Sequence, residues 1–174
     1  MKKIYLAGPE VFLPDSLKVL EQHKSLCKEY GFLGLSPFDG VLTNETGFDR
    51  AEKIFFENCK LIQKADIVLA NCNTFRGALV DDGTSFEIGF AYALKKKIYG
   101  FIDVKKPLPE IVANKIQTTL HESGYRIDTE GYLVNEDFGN SINLMLEFAI
   151  KFAGGKFIEG NFLEAIRVLA ENEI

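Results

Sequence analysis

The chain has 174 residues, 47% of them hydrophobic and 12% aromatic, with 20 Lys plus Arg against 25 Asp plus Glu for a net charge of −5. This length favours one domain, residues 1–174, with a proper core, and the apolar content excludes a disordered chain. The acidic balance, with no basic run beyond Lys95-Lys96-Lys97, argues against a nucleic-acid polymer or an anionic membrane as partner.

No apolar stretch approaches the ~20 residues needed to span a bilayer. The apolar run behind Met1-Lys2-Lys3 ends at Gly8-Pro9-Glu10, too short for a secretory segment of about 7–15 residues. Cys27, Cys59 and Cys72 are scattered without C-x-x-C spacing, which fits a reduced, cytoplasmic compartment. His23 and His121 are the whole histidine supply. That is too little for a His-rich metal site, and no G-x-S-x-G offers either one a serine nucleophile.

In chain order, Lys3–Ala7 reads as a buried first strand and Pro14–Tyr30 as a helix stopped by Gly31. Phe32–Leu35 is a second strand, Phe48–Lys64 a helix, and Asp66–Asn71 a third strand with a nearly continuous apolar run. Thr84–Lys96 is a helix apolar almost all round, expected to be buried, and Lys97–Ile102 is a fourth strand. Short apolar runs alternating with helices predict a parallel sheet covered by helices. Pro107–Gln117 reads as a short helix, Tyr125–Asn135 as an irregular piece or a hairpin around Thr129-Glu130-Gly131, and the fifth strand is expected within 118–134. Ile142–Ala153 and Asn161–Glu173 complete the helices, the last with Asn161 as N-cap and Glu164 three residues on.

Open α/β sheets bind ligands beyond the carboxyl ends of their strands. Four segments therefore carry the search: Gly8–Phe12, the loop after Leu35, Cys72–Glu87, and the loop after Ile102. AGPEVF after the first strand is neither G-x-G-x-x-G nor a P-loop, so neither dinucleotide binding nor P-loop hydrolysis is expected. The segment from Asp66 to Leu94 is the informative one. There Asp81-Asp82-Gly83 leads into a helix with Glu87 in its expected first turn. Two carboxylates at the mouth of a crevice suffice for glycosyl chemistry, one on the anomeric carbon and one on the leaving group. The structural alternative for Glu87 is a capping box, Thr84-x-x-Glu87, and Asp81 and Asp82 also suit a plain turn.

Asn58 falls in the apolar stripe Ala51, Phe55, Asn58, Ile62, so its amide is either satisfied within the protein or aimed at a ligand. By pattern alone, Tyr5 and Met145 read as packing, Asn143 as solvated or a cap, Arg76 as a loop residue able to clamp an anion, and His23 as a packed histidine.

Five segments in register, KIYLAGPEVF, Asn58…Ala65-Asp66, Asn73-Thr74-Phe75-Arg76-Gly77, Asp81-x-Gly83-Thr84-x-x-Glu87-x-Gly89-x-Ala91 and Phe138-Gly139-Asn140-Ser141-Ile142-Asn143-Leu144-Met145, resemble the nucleoside 2-deoxyribosyltransferases from residue 3 to about 148. The resemblance implies an α/β, flavodoxin-like three-layer sandwich with a five-stranded parallel sheet. It implies exchange of free nucleobases on 2′-deoxynucleosides, with no metal and no cofactor. Glu87 matches the nucleophile that attacks C1′, Asp81 the carboxylate that protonates the departing base, and Tyr5 the tyrosine that holds the nucleophile. Gly8, Phe12, Asn58, Phe75, Arg76 and Gly83 fall on substrate-binding positions. Asn143 and Met145 match residues lent to a neighbouring subunit's site, which implies a homo-oligomer. Where this chain has Asn58, some relatives carry Asp; an amide orients a ligand but donates no acidic proton.

The implied mechanism is double displacement with net retention through a deoxyribosyl ester on Glu87, in a pocket kept dry by Phe12, Phe75 and Phe86. The Phe75-Arg76-Gly77 and Asp81-x-Gly83-Thr84 forms lean toward purines. A related alternative is an N-glycosidase of 2′-deoxynucleoside 5′-monophosphates. An alternative of another class is a noncatalytic nucleotide-binding or sensor protein.

Overall fold

Near-continuous apolar runs become interior parallel strands because both faces of such a sheet are covered by helices. In the computed structural model, which describes residues 1–40 and 46–174, the order is β1 (Lys3–Ala7), a 3₁₀ turn (Pro9–Phe12), α1 (Ser16–Glu29), β2 (Leu33–Leu35), α2 (Gly47–Lys64), β3 (Ile67–Asn71), α3 (Asp82–Ala93) and β4 (Lys97–Ile102). There follow α4 (Leu108–Lys115), β5 (Thr118–Leu120), β6 (Arg126–Asp128), β7 (Leu133–Val134), α5 (Leu144–Phe152), β8 (Phe157–Glu159) and α6 (Phe162–Glu173). Residues 41–45, part of the loop after Leu35 singled out above, lie outside the described residues.

Five strands pair in parallel in the order β2-β1-β3-β4-β8, the doubly wound order of flavodoxin-like folds. Alternation along each strand sorts the core into two layers. Tyr5, Ala7, Val68, Ala70, Ile98 and Ile102 point to α2, α3 and α5, while Ile4, Leu6, Ile67, Leu69, Tyr99 and Phe101 meet α1 and α6. Helix α1 ends where predicted, with Tyr30 as cap and Gly31 in the left-handed region at φ 83°. Asn161 caps α6 and Glu164 returns the bond to its backbone, completing the expected capping box.

The fifth strand is not in 118–134. It is β8, a three-residue strand that begins one residue, Lys156, beyond the Gly154-Gly155 turn and pairs with Gly100, Phe101 and Ile102 of β4. Residues 118–134 instead build a separate antiparallel sheet, β5-β6-β7, whose second hairpin turns over Thr129–Gly131 as the sequence suggested. The expectation that the third helix is buried all round is also corrected. Ile88 and Ala91 are fully buried, but Phe86 and Tyr92 are about half exposed on the outer side of α3. Similarly, only the C-terminal part of the α2 stripe reaches the core: Ile62 is fully buried, whereas Ala51 and Phe55 are exposed.

Candidate active site

The first strand leaves β1 for α1 on one face, while β3 continues into α3 on the other, so a crevice opens where the connections diverge. A cavity of about 750 Å³ lies there. Six of the residues singled out from sequence line it: Gly8, Phe12, Asn58, Asp81, Gly83 and Glu87.

Two side chains from different elements of one core layer meet at this crevice. Tyr5, fully buried on β1, donates from its hydroxyl to Glu87 Oε1 at 2.5 Å. Burial and the adjacent carboxylate push the Tyr5 phenol far above its usual range, so it remains a proton donor to Glu87. Glu87 itself is pushed up from its ordinary 4.5 to about 7, first by burial and then by the charges of Asp81 and Glu10, against the lowering effect of the Tyr5 bond. A carboxyl balanced near neutrality at the edge of a cavity is a poised acid–base or nucleophilic group.

The start of α3 differs from the expected capping box. Asp81, not Thr84, is the N-cap, and its Oδ2 accepts from the Thr84 backbone N–H at 2.9 Å and from Thr84 Oγ1 at 3.0 Å. Both Asp81-x-x-Thr84 and Thr84-x-x-Glu87 have cap spacing, but the helix begins at Asp82, two residues earlier than read. Glu87 is therefore in the second turn, and its side chain is free of any capping duty and bonded to Tyr5. Asp81 takes no part in these bonds through Oδ1 and is buried at the cavity wall.

Asn58 Oδ1 is buried with no hydrogen-bond partner among the described residues, and the side chain lines the cavity. A buried acceptor of this kind costs about 1–3 kcal/mol unless a partner arrives, which leaves Asn58 Oδ1 open to a ligand donor at the cavity wall.

Phe12 stacks on Phe75 with ring centroids 5.0 Å apart, and the Arg76 guanidinium lies 5.1 and 4.7 Å from the two ring centres. Only Phe12 of these three walls the cavity, so Phe75 and Arg76 stand behind it as a cation–π stack. Phe86, expected to crowd the pocket, instead tilts onto Phe55 and stacks with Phe90 on the outer side of the helices. His23 is packed as expected, stacked on Phe162 at 3.7 Å.

Asn143 and Met145 do not reach this cavity within the chain. Asn143 caps α5, its Oδ1 accepting from the Met145 N–H at 3.0 Å, and it borders a different cavity of about 410 Å³. Met145 is 71% exposed, which overturns its reading as core packing.

Sequence reasoning missed Pro37, Phe38, Arg50 and Ile54, which also line the main cavity. The loop after Leu35 was the available signal for the first two; Arg50 on an exposed helix face gave none. It also missed Glu10, buried on the 3₁₀ turn with Oε1 accepting from Asn71 Nδ2 at 2.8 Å. A Cβ on Gly8 would lie 2.1 Å from Glu10 Oε2, so the glycine is what lets this carboxyl fold back over the strand end. Among the described residues no group of three or more His, Cys, Asp or Glu side chains converges as metal ligands would, and no helix is long and apolar enough to cross a membrane.

A flavodoxin-ordered sheet whose crevice holds a Tyr-bonded glutamate beside a helix-capping aspartate is the framework of a glycosyl-transferring enzyme. More particularly, the chain belongs to the nucleoside 2-deoxyribosyltransferase family, whose sequence profile matches residues 4–145. It is 32% identical over 166 residues to an uncharacterized protein of Schizosaccharomyces pombe, covering 87% of this chain and 78% of that one. The structure of a 2-desoxiribosyltransferase from Leishmania mexicana matches with TM-score 0.75 and 28% identity over 100% of both chains. A 2-deoxyribosyltransferase from Bacillus psychrosaccharolyticus shares the fold with TM-score 0.51 at 23% identity, over 65% of this chain and 81% of its own.

Proposed function

We propose that the protein transfers 2-deoxyribose between nucleobases by double displacement. The observation that carries this reading is the Tyr5–Glu87 pair at 2.5 Å on the wall of a cavity that also holds Asp81. With Tyr5 bonded to Oε1, Oε2 is the oxygen left to attack C1′. The new Glu87–C1′ ester bond forms as the C1′–N bond breaks, its electron pair passes to the departing base, and Asp81 supplies the proton. An incoming base then displaces Glu87 and restores the configuration. Asn58 Oδ1 accepts from a ligand hydroxyl or N–H, and the apolar wall formed by Phe12, Phe38 and Ile54 holds the base and keeps water from the ester. We favour purines slightly, on the Phe75-Arg76-Gly77 sequence.

The site is completed by a neighbouring subunit that brings Asn143 and Met145. Supporting this, α2, α3 and α5 each expose aromatic side chains: Phe55 meets Phe86, and Tyr92 and Phe152 border one hollow together with Lys95 and Lys96. Phe148 and Phe152 continue the exposure along α5, and an exposed apolar patch of this kind is the ordinary mark of an interface.

Incubation with a 2′-deoxynucleoside, with and without a second free base, tests the reading. A new deoxynucleoside only when the acceptor is present is the expected result; release of free deoxyribose regardless of acceptor refutes it. A second reading, hydrolysis of 2′-deoxynucleoside 5′-monophosphates, is favoured by one observation, the Arg50 side chain on the cavity wall. If that reading holds, Arg50→Ala raises the KM for monophosphates and leaves that for nucleosides unchanged.

A further inference from the structure

Glu10 has no part in the chemistry above, yet this buried carboxyl stands at the end of an ordered chain of polar groups. Asn71 Nδ2, at the end of β3, donates to Glu10 Oε1 at 2.8 Å. Asn71 Oδ1 accepts from the Asn73 backbone N–H at 3.0 Å and from Asn73 Nδ2 at 2.9 Å. Asn73 Oδ1 in turn accepts from the backbone N–H of Asp103, just after β4, at 3.0 Å, and Asn73 Nδ2 also donates to Asp103 Oδ1 at 3.2 Å. A backbone N–H only donates. The two backbone groups therefore fix which way both amides face, and the relay runs in one direction, ending with an N–H aimed at Glu10. A donor fixed in this way favours the ionised carboxylate over the neutral acid.

This carboxyl lies directly behind the wall of the Glu87 cavity. Gly8 lines that cavity, and a Cβ there would be 2.1 Å from Glu10 Oε2, so Glu10 fills the space that a side chain of the wall would take. From this geometry we infer that Glu10 is a positioning residue, a fixed negative charge that acts on the reaction through Glu87 and sets the pH range in which the Glu87 carboxylate forms. The groups facing Glu87 are Tyr5 from β1, Cys59 from α2, Asp81 at the start of α3 and Glu10 from the 3₁₀ turn, with Arg50 of α2 elsewhere on the cavity wall. Around Glu10 stand Asn71, Glu87 and the buried Cys72 thiol, on which Glu147 of α5 also acts. Burial pushes the Glu10 carboxyl up, and the Asn71 bond at the end of the relay pulls it back toward ionisation. A like charge so held disfavours ionisation of Glu87. The Glu87 carboxylate that does form is the more basic for it, and it faces a sugar that turns positive in the transition state. The use of this charge rests on the proposed transferase reading; the coupling of the two carboxyls does not.

Glu10→Gln keeps the volume and can still accept from Asn71, but it removes the charge. The pH at which kcat/KM for a 2′-deoxynucleoside reaches half its plateau should fall by roughly half a unit to one unit. A merely structural Glu10 would lower activity alike at every pH and leave that midpoint in place. The substrate-free counterpart is a carbon-13 NMR titration of the Glu87 carboxyl, assigned by its loss in Glu87→Gln, whose midpoint should fall by the same amount. If Glu10→Gln fails to fold, Asn71→Ala, which withdraws the donor that favours the Glu10 charge, should move both midpoints in the same direction. Midpoints that stay in place or rise overturn the inference while leaving the transferase standing. A wild-type protein that turns over no deoxynucleoside removes the transferase reading, and the NMR titration then still decides whether Glu10 acts on Glu87.

Discussion

Replacing Glu87 with glutamine is expected to abolish turnover and, at alkaline pH, to make the protein more stable. The folded carboxyl titrates at about 7 against an ordinary 4.5, chiefly because burial disfavours its charge. Between those values the folded state binds more protons than the unfolded chain, so stability falls as pH rises from 4.5 to about 7 and the loss is complete above that. The difference between 4.5 and about 7 corresponds to roughly 3 kcal/mol. Because one side of Glu87 meets the cavity, water recovers part of this, leaving about 2–3 kcal/mol. Glutamine occupies the same volume and can still accept the Tyr5 proton, but carries no charge to desolvate. Urea unfolding at pH 8.5 should place Glu87→Gln about 2–3 kcal/mol above wild type, or roughly 4–10 °C higher in Tm. At a pH below 4.5, where both states hold the proton, the two should coincide. Turnover should drop at least about a thousandfold, since an amide does not form the glycosyl ester. Equal or lower stability of the variant at pH 8.5 would refute the argument, because the Tyr5 bond would then outweigh the desolvation of the charge.

Tyr5→Phe removes the one contact that lowers the Glu87 titration; kcat/KM should fall about tenfold to a hundredfold, with the rise of its pH profile moved above pH 7. Asn58→Ala deletes an acceptor that the protein leaves unpaired. The free enzyme should melt no lower than wild type while KM rises about fivefold to tenfold; a clear loss of thermal stability would mean that a protein partner holds the amide. Gly8→Ala forces Glu10 Oε2 away from a Cβ 2.1 Å distant and breaks its bond to Asn71. A loss of about 1–3 kcal/mol in urea unfolding is expected, and an unchanged midpoint would show that Glu10 relocates freely.

The alternating strand–helix pattern, the carboxylate pair, Asn58 and the caps at Gly31 and Asn161 were all legible in the chain itself. Each depends on local rules: period-two burial, helical spacing, and side chains that satisfy helix ends. Resemblance of motifs supplied Tyr5, which no local pattern distinguishes from a core aromatic. Only its neighbour across 82 positions makes it a hydrogen-bond donor.

Other features have no local signature. Phe157–Glu159 is too short to signal a strand, and it becomes one because β4 offers an unpaired edge beside Gly100. Two overlapping cap spacings precede Glu87, and the choice of Asp81 was made by the packing that fixes where α3 begins, which is also what frees Glu87 to face Tyr5. A helix apolar all round carries no mark of which side the sheet takes, so the outward Phe86 and Tyr92 were decided by the layer below. The titration of Glu87 near 7 follows from burial and from charges brought in by two other segments of chain. Sequence determined the residues and the chemistry open to them; tertiary packing decided which met, because hydrogen bonds and desolvation act through space and not along the chain.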